Sequence, residues 1–298
     1  MNKKHLIILA GSPRGGEKTW NSMYKYCLDY LDADLAICCG DDINKSISLY
    51  KRAKYKWLFS ELDNWIKYYT SNSYYNAIDY LEKGKNTGLY NSGVVHFAIK
   101  DIILKRYLHI IKKYDYIIYT RFDQYYIDYH PFGATNKILI PEGEDYFGVC
   151  DRHAMFHSDY AEKILGICKY INTEDAQKET GDFLNCEKSY LNHLKYLGLD
   201  EKISRIKRFQ FTTSNKGDQT RGRVAIYNLW FCRGIKLKYP SEFVKSFNNR
   251  REKYSFIYNF SNHPILYANY LFLRLRKAIS PFFPNKIKKI ITFLLNEK

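Results

Sequence analysis

The run HLIILA at His5–Ala10, followed at once by Gly11-Ser12-Pro13-Arg14-Gly15-Gly16, limits the fold more than any other feature. A short, almost unbroken apolar run stopped by Gly and Pro reads as a strand buried on both faces. Residues 19–31 then carry helical spacing, with Trp20, Met23, Tyr24, Cys27, Leu28 and Leu31 on one face. Residues 34–39 (DLAICC) form a second apolar run that ends in Gly40-Asp41-Asp42. Strand, loop, helix and strand in this order open a parallel α/β sheet, whose ligand site lies at the C-terminal ends of the strands.

The rest of the chain extends that pattern. Residues 43–82 read as irregular and helical, with Trp57, Leu58, Trp65 and Ile66 turned inward. Residues 91–113 predict a long amphipathic helix, and residues 114–119 (YDYIIY) a buried strand that ends at Thr120-Arg121-Phe122-Asp123. Further strands are expected at 137–140, at 146–150 (YFGVC) and at 208–213, with helices over 158–170 and 186–197. Residues 1–235 read as one catalytic domain and residues 236–298 as a basic helical extension.

Charge sets that extension apart. The chain carries a net +16, and residues 245–298 hold eleven Lys and Arg against two Asp and Glu. Segments 264–279 and 285–295 are apolar on one stripe and basic off it, separated by Pro281 and Pro284. Such helices either lie in the plane of an anionic membrane surface or pack on the domain with solvated lysines. The seven cysteines, Cys27, Cys38, Cys39, Cys150, Cys168, Cys186 and Cys232, are odd in number and include no Cys-x-x-Cys pair. They read as free thiols in a reducing cytoplasm, not as a zinc site. His5–Ala10 is too short for a signal-peptide core, and no stretch reaches the roughly 20 apolar residues a membrane span needs.

Three segments carry candidate chemistry. In the first loop, which also holds Ser12, Gly11, Gly15 and Gly16 permit close backbone approach to a nucleotide and Arg14 adds positive charge. Past the YDYIIY strand, Asp123 is a hard oxygen donor for Mn²⁺ or Mg²⁺, and the Arg121 guanidinium matches paired phosphate oxygens. Asp151-Arg152-His153 can bind phosphate or orient a sugar. Asp182 and Glu187 flank the next helix, and together with Asp151 they are the carboxylates available as a base toward an acceptor hydroxyl.

Taken in order, these segments resemble GT-A-type glycosyltransferases of bacteria, algae and large DNA viruses. The resemblance rests on Gly11-Ser12-Pro13-Arg14-Gly15, Ala33-Asp34-Leu35, Tyr114-Asp115 with Arg121-Phe122-Asp123, Gly148-Val149-Cys150-Asp151-Arg152-His153-Ala154, and Glu187-Lys188-Ser189-Tyr190-Leu191 through Gly198. Asp-Arg-His-Ala is the most specific of these. The resemblance implies a GT-A (Rossmann-like) fold, a mixed and mainly parallel sheet flanked by helices, and a nucleoside-diphosphate sugar donor. It places the first loop and Asp41 near the nucleotide and Asp123 near the metal and diphosphate; Arg121, Arg152 and His153 are read from their own chemistry as residues that bind the nucleotide sugar. Arg121 stands where the family's Asp-x-Asp has its first carboxylate. The activity implied is sugar transfer to a glycan or lipid-linked acceptor. The basic tail lies outside the resemblance and fits a cytoplasmic enzyme peripheral on the inner membrane face, in surface polysaccharide synthesis (capsule or lipopolysaccharide); basic and aromatic residues are not interleaved as in a nucleic-acid module, so no nucleic acid partner is expected.

Two other readings compete. Pro13-Arg14-Gly15-Gly16 with Thr19-Trp20 is a near match to the phosphosulfate loop of sulfotransferases, and Gly11 to Gly16 has P-loop spacing before Glu17 breaks the register. The other is a non-catalytic protein whose basic tail holds an anionic partner.

Overall fold

The computed structural model describes residues 3–83, 85, 90–133, 136–180, 184–215, 218, 227–228 and 235–279. In chain order its strands are β1 (His5–Ala10), β2 (Asp34–Gly40), β3 (Tyr55–Phe59), β4 (Tyr116–Thr120), β5 (Gln124–Tyr126), β6 (Ile138–Pro141), β7 (His153–His157), β8 (Ile203–Ile206), β9 (Gln210–Ser214), β10 (Tyr227–Asn228) and β11 (Lys236–Leu237). The helices used below are α1 (Gly16–Met23), α2 (Tyr90–Ile111), α3 (Cys186–Tyr196), α4 (Pro240–Lys253), α5 (Phe256–Asn262) and α6 (Pro264–Ile279).

The chain divides into two compact units, each discontinuous in sequence. The first is Met1–Pro13, Leu31–Phe122 and Pro131–Ile206; the second is Arg14–Tyr30, Asp123–His130 and Lys207–Lys298.

In the first unit, seven strands among the described residues form an α/β sheet in the order β3-β2-β1-β4-β7-β6-β8. Pairing is parallel except where β7 meets β4 and β6. β1 and β4 are buried along their whole length. That is why both read as continuous apolar runs: a central parallel strand has no solvent face. The order β3-β2-β1-β4 is the Rossmann half-sheet order. α2 packs on it with Phe97, Ala98, Ile102 and Ile103 in the core.

Three expectations about elements need correction. β3 lies inside the segment expected to be irregular. It is the sheet's edge strand: Trp57 and Phe59 are buried while Lys56 is exposed, and Trp57 stacks flat on Tyr107 at 4.5 Å. A lysine on an edge strand protects it from further pairing and also masks the apolar pattern. The strand expected at 146–150 is a turn. Gly143, Glu144, Tyr146 and Phe147 all take positive φ, and the strand begins only at His153. The helix expected over 158–170 is also interrupted, at Gly166.

In the second unit, β10-β11-β9-β5 make a small sheet, and α1 continues into a wider π-type turn over Tyr24–Leu28. Phe211, Leu237, Phe243, Phe247, Leu266, Tyr267 and Tyr270 form its core, so one face of α6 packs on the unit. The second tail helix, over 285–295, lies outside the described residues. α4 is fixed to β9 by a buried ion pair: Glu242 accepts from Arg208 Nη1 at 3.0 Å and from the Thr212 N–H at 2.6 Å, and both side chains are almost fully buried. Glu242→Ala leaves the Arg208 guanidinium buried without its carboxylate and is expected to cost about 3–5 kcal/mol. The urea midpoint, followed by circular dichroism, checks this; a change under about 1 kcal/mol counts against the pair as the anchor of α4.

Candidate functional site

In the first unit, β1 and β4 run side by side and parallel, with Leu9 opposite Thr120. The chain steps outward from β1 to β3, then returns on the other flank of β1 as β4. This reversal is a topological switch point, the place where α/β sheets bind ligands at the C-terminal ends of their strands. Gly11 and Ser12 leave β1 there; Gly11 takes φ 109° and donates its N–H to the Cys38 carbonyl at 3.0 Å. Arg121 leaves β4 there. Asp151 and Arg152 reach the same end by a route not foreseen from sequence. They precede β7 instead of following a strand, and because β7 is antiparallel to β4, with His153 opposite Thr120, its start lies at the finish of β4. His153 Nδ1 and Thr120 Oγ1 share a hydrogen bond of 3.0 Å, so this imidazole pins the strand pair.

Asp151 is buried and surrounded by cationic and hydrogen-bonding groups. His96 Nε2 lies 3.2 Å from its Oδ2 and Arg152 Nε 3.9 Å from its Oδ1. Burial by itself would raise the Asp151 carboxyl; His96, Arg152 and Lys100 outweigh it and hold the group well below the usual carboxylate range. His96 is pushed down, first by burial and then by the Lys100 charge. Lys100, one turn further along α2, is almost fully buried, and its ammonium sits over the rings of Tyr190 at 4.3 Å and Tyr119 at 5.1 Å. Burial lowers its pKa to about 8, against the pull of Asp151.

Glu187 stands in the first turn of α3. The helix is capped by the Asn185 side chain, which accepts from the Lys188 N–H at 2.8 Å. The loop before Asp151 is tied to the same turn, since the Val149 N–H donates to the Glu187 carbonyl at 3.3 Å. Burial first, and the Asp151 charge second, push the Glu187 carboxyl up to about 8, although Arg152 and Arg121 oppose the rise. Two carboxylates whose environments drive their pKa values apart are the usual mark of an assigned acid/base pair. Arg121, Arg152 and Lys100 add positive charge, so this end of the sheet can hold an anion and move a proton.

Asp41 follows β2 at this same C-terminal end of the sheet. Asp41 is bound at the exit of β3, where its N–H donates to the Phe59 carbonyl at 2.9 Å and its carboxylate accepts from Ser60 Oγ at 2.8 Å. Arg14 and Asp123 belong to the second unit. There the Arg14 carbonyl accepts from Trp20 Nε1 at 3.0 Å. The Asp123 carbonyl accepts from the Thr213 N–H at 2.8 Å, and Thr213 Oγ1 lies 2.9 Å from Thr19 Oγ1. Gly15 takes φ 93°, and a Cβ on it would come within 3.2 Å of the Asp123 backbone, so only glycine suits this position. Its N–H donates to Asp218 Oδ2 at 3.0 Å, as does the Asn215 N–H at 2.6 Å; the amide expected to cradle phosphate already holds a carboxylate. Among the described residues, no three histidine, cysteine, aspartate or glutamate side chains group as a metal cage. Asp182 lies outside the described residues.

His96, Lys100 and Tyr190 were missed as site residues. The signal was present for two of them: His96 and Lys100 stand among Val94, Phe97, Ala98, Ile102 and Ile103 on the apolar part of an amphipathic helix. Charge at such positions is retained only when paired or functional. No family model matches this chain, and no curated protein matches it in sequence.

Proposed function

We propose that this chain is a glycosyltransferase that moves a sugar from a nucleoside-diphosphate donor to a hydroxyl of a glycan or lipid-linked acceptor, on a GT-A-type sheet. One observation carries the reading: Asp151 and Glu187, with carboxyl groups pushed in opposite directions, lie at the switch-point end of the sheet under the charges of Arg121, Arg152 and Lys100. Glu187 takes the proton of the acceptor hydroxyl as that oxygen bonds to the anomeric carbon. The bond from that carbon to the diphosphate oxygen breaks, and the diphosphate leaves with the electron pair. Arg121 and Arg152 stabilise the charge that develops on it. Asp151, kept ionised by His96 and Arg152, maintains the basicity of Glu187. The mainly parallel sheet and the element Gly148 through Ala154 agree with the GT-A resemblance.

The resemblance also implies a divalent ion, Mn²⁺ or Mg²⁺, at Asp123, which belongs to the second unit. Mg²⁺ is commonly held by one or two carboxylates together with substrate phosphates, so a single aspartate is enough protein ligation for an ion that arrives with the donor. The phosphosulfate reading is weakened by Asp218, whose carboxylate holds the Gly15 amide.

A thermal-shift screen tests the proposal. A UDP or GDP sugar with Mn²⁺ present at about 100 times its Kd stabilises the fold by about 2.7 kcal/mol. Arg121→Ala removes a charge-assisted contact and is expected to weaken donor binding by about ten- to a hundredfold. If 3′-phosphoadenosine compounds shift the melt and no nucleotide sugar does, the enzyme is a sulfotransferase. If neither does and DNA binds with strong salt dependence, the chain is a basic binding protein.

A further inference from the structure

The second unit presents an apolar corner that its own core meets only where Phe256 stands edge-on to the Tyr267 ring, at 5.5 Å. α5 has the sequence FIYNFSN, and of its residues only Asn259 is buried. Phe256 is 59% exposed, Ile257 76% and Phe260 46%. A surface helix normally turns its large apolar side chains inward. Here a polar frame holds the helix instead: the Ser255 side chain caps it by accepting from the Tyr258 N–H, and Asn259 Nδ2 donates to the Tyr254 and Ser255 carbonyls. Phe256 and Phe260 stack one turn apart, with ring centroids 6.2 Å from each other. Ile265 and Leu275 extend the exposed apolar surface along α6.

Cations surround that corner. Arg251 and Arg274 both donate to the Tyr270 hydroxyl, at 3.0 and 3.1 Å. Lys253 lies over the Tyr254 ring at 4.8 Å but is paired with Asp128 at 3.1 Å, so the two arginines carry the positive charge here. The exposed carboxylate of this stretch, Glu252, is taken up by Lys207 at 2.6 Å, so it leaves the local balance positive. No helix among the described residues is long and apolar enough to cross a membrane.

We propose that the corner built by α4, α5 and α6 seats the protein in the plane of an anionic lipid surface, with Phe256, Ile257 and Phe260 entering the headgroup boundary. Apolar side chains standing out from a basic face are the combination that binds such a surface. Charge complementarity selects lipid: Arg251 and Arg274 bind Tyr270, which stacks on Tyr267, the ring that Phe256 meets edge-on, and in sequence residues 245–298 carry eleven basic against two acidic side chains. A protein partner's apolar cleft would not need that excess. The inference stands apart from the transferase reading, since it uses none of the residues assigned to catalysis.

Co-sedimentation of the full chain with phosphatidylcholine vesicles, with and without about 30% phosphatidylserine, tests it. Binding to the serine-containing vesicles is expected to exceed binding to the neutral ones, and to weaken as NaCl rises from about 0.1 to about 0.5 M. The double variant Ile257→Ser with Phe260→Ser should lower the partition coefficient by about tenfold or more and leave the circular-dichroism melt unchanged, because both side chains stand in solvent. Three results would overturn the proposal: no preference for phosphatidylserine, full binding by the double variant, or sedimentation of the lipid-free protein as a dimer that the double variant abolishes. The last would make a second copy of this chain the occupant.

Discussion

Glu187→Gln is expected to lower turnover by about 10²- to 10⁴-fold, the contribution of a positioned general base, while the donor still shifts the melting temperature as in the wild type. The pH profile identifies the mechanism. A base works only when ionised, and the Glu187 carboxyl is pushed up to about 8. The wild-type rate should therefore climb with pH through about 8, and the variant should lack that limb. Asp151→Asn removes the second cause of the upward push and should move the limb toward acid.

Stability must change in the opposite sense. The folded protein holds on Glu187 a proton that the unfolded chain releases near the ordinary value of 4.5. Wherever the native state binds more protons, stability falls as pH rises, here between about 4.5 and about 8. An amide has no charge to bury. Glu187→Gln should thus melt higher than the wild type above pH 8, and the difference should vanish below pH 4.5. Loss of rate with gain of stability is the signature of a carboxyl kept in an unfavourable place for its chemistry. A variant that keeps its turnover removes Glu187 from the mechanism, whereas one that melts lower shows only a packing role.

Much of the fold was legible because its central strands are buried on both faces. HLIILA and YDYIIY announce themselves as continuous apolar runs, and the parallel β-loop-α-β opening follows from them. β3 was not legible, since an edge strand with Lys56 in its middle looks like loop sequence. β7 was misplaced by seven residues. YFGVC has strand composition, but the positive φ of Tyr146 and Phe147 depends on the turn around them and not on their own preferences. Asp151, Arg152 and Glu187 were readable as chemistry; what brings them under one field was not. That depends on β7 running antiparallel, which no local pattern encodes. Arg14 and Asp123 lie next to site residues in sequence and yet belong to the other compact unit.

Gly148 shows how closely the two carboxylates are tied, and Gly148→Ala is the second large effect expected. A Cβ at this position would overlap the Glu187 carbonyl and the amide that follows it. Those atoms are backbone, in the first turn of a helix capped by Asn185, and no side chain can swing aside to make room. The turn itself has to move. The Val149 hydrogen bond to the Glu187 carbonyl must lengthen or break, and the loop that enters Asp151 shifts with it. Overpacking of this kind costs about 1–3 kcal/mol or more, which a melt or urea titration measures directly. The larger consequence is catalytic. A base displaced by about 1 Å loses on the order of 10²-fold in rate, so this single methyl group should reduce turnover far beyond what its stability cost explains, at temperatures where the variant remains folded. Donor affinity should fall less than turnover: Arg152 shares the displaced loop, but Arg121 leaves β4 on a separate one. If Gly148→Ala leaves turnover unchanged at temperatures where it is folded, the two carboxylates are not the catalytic pair and Gly148 serves the fold alone.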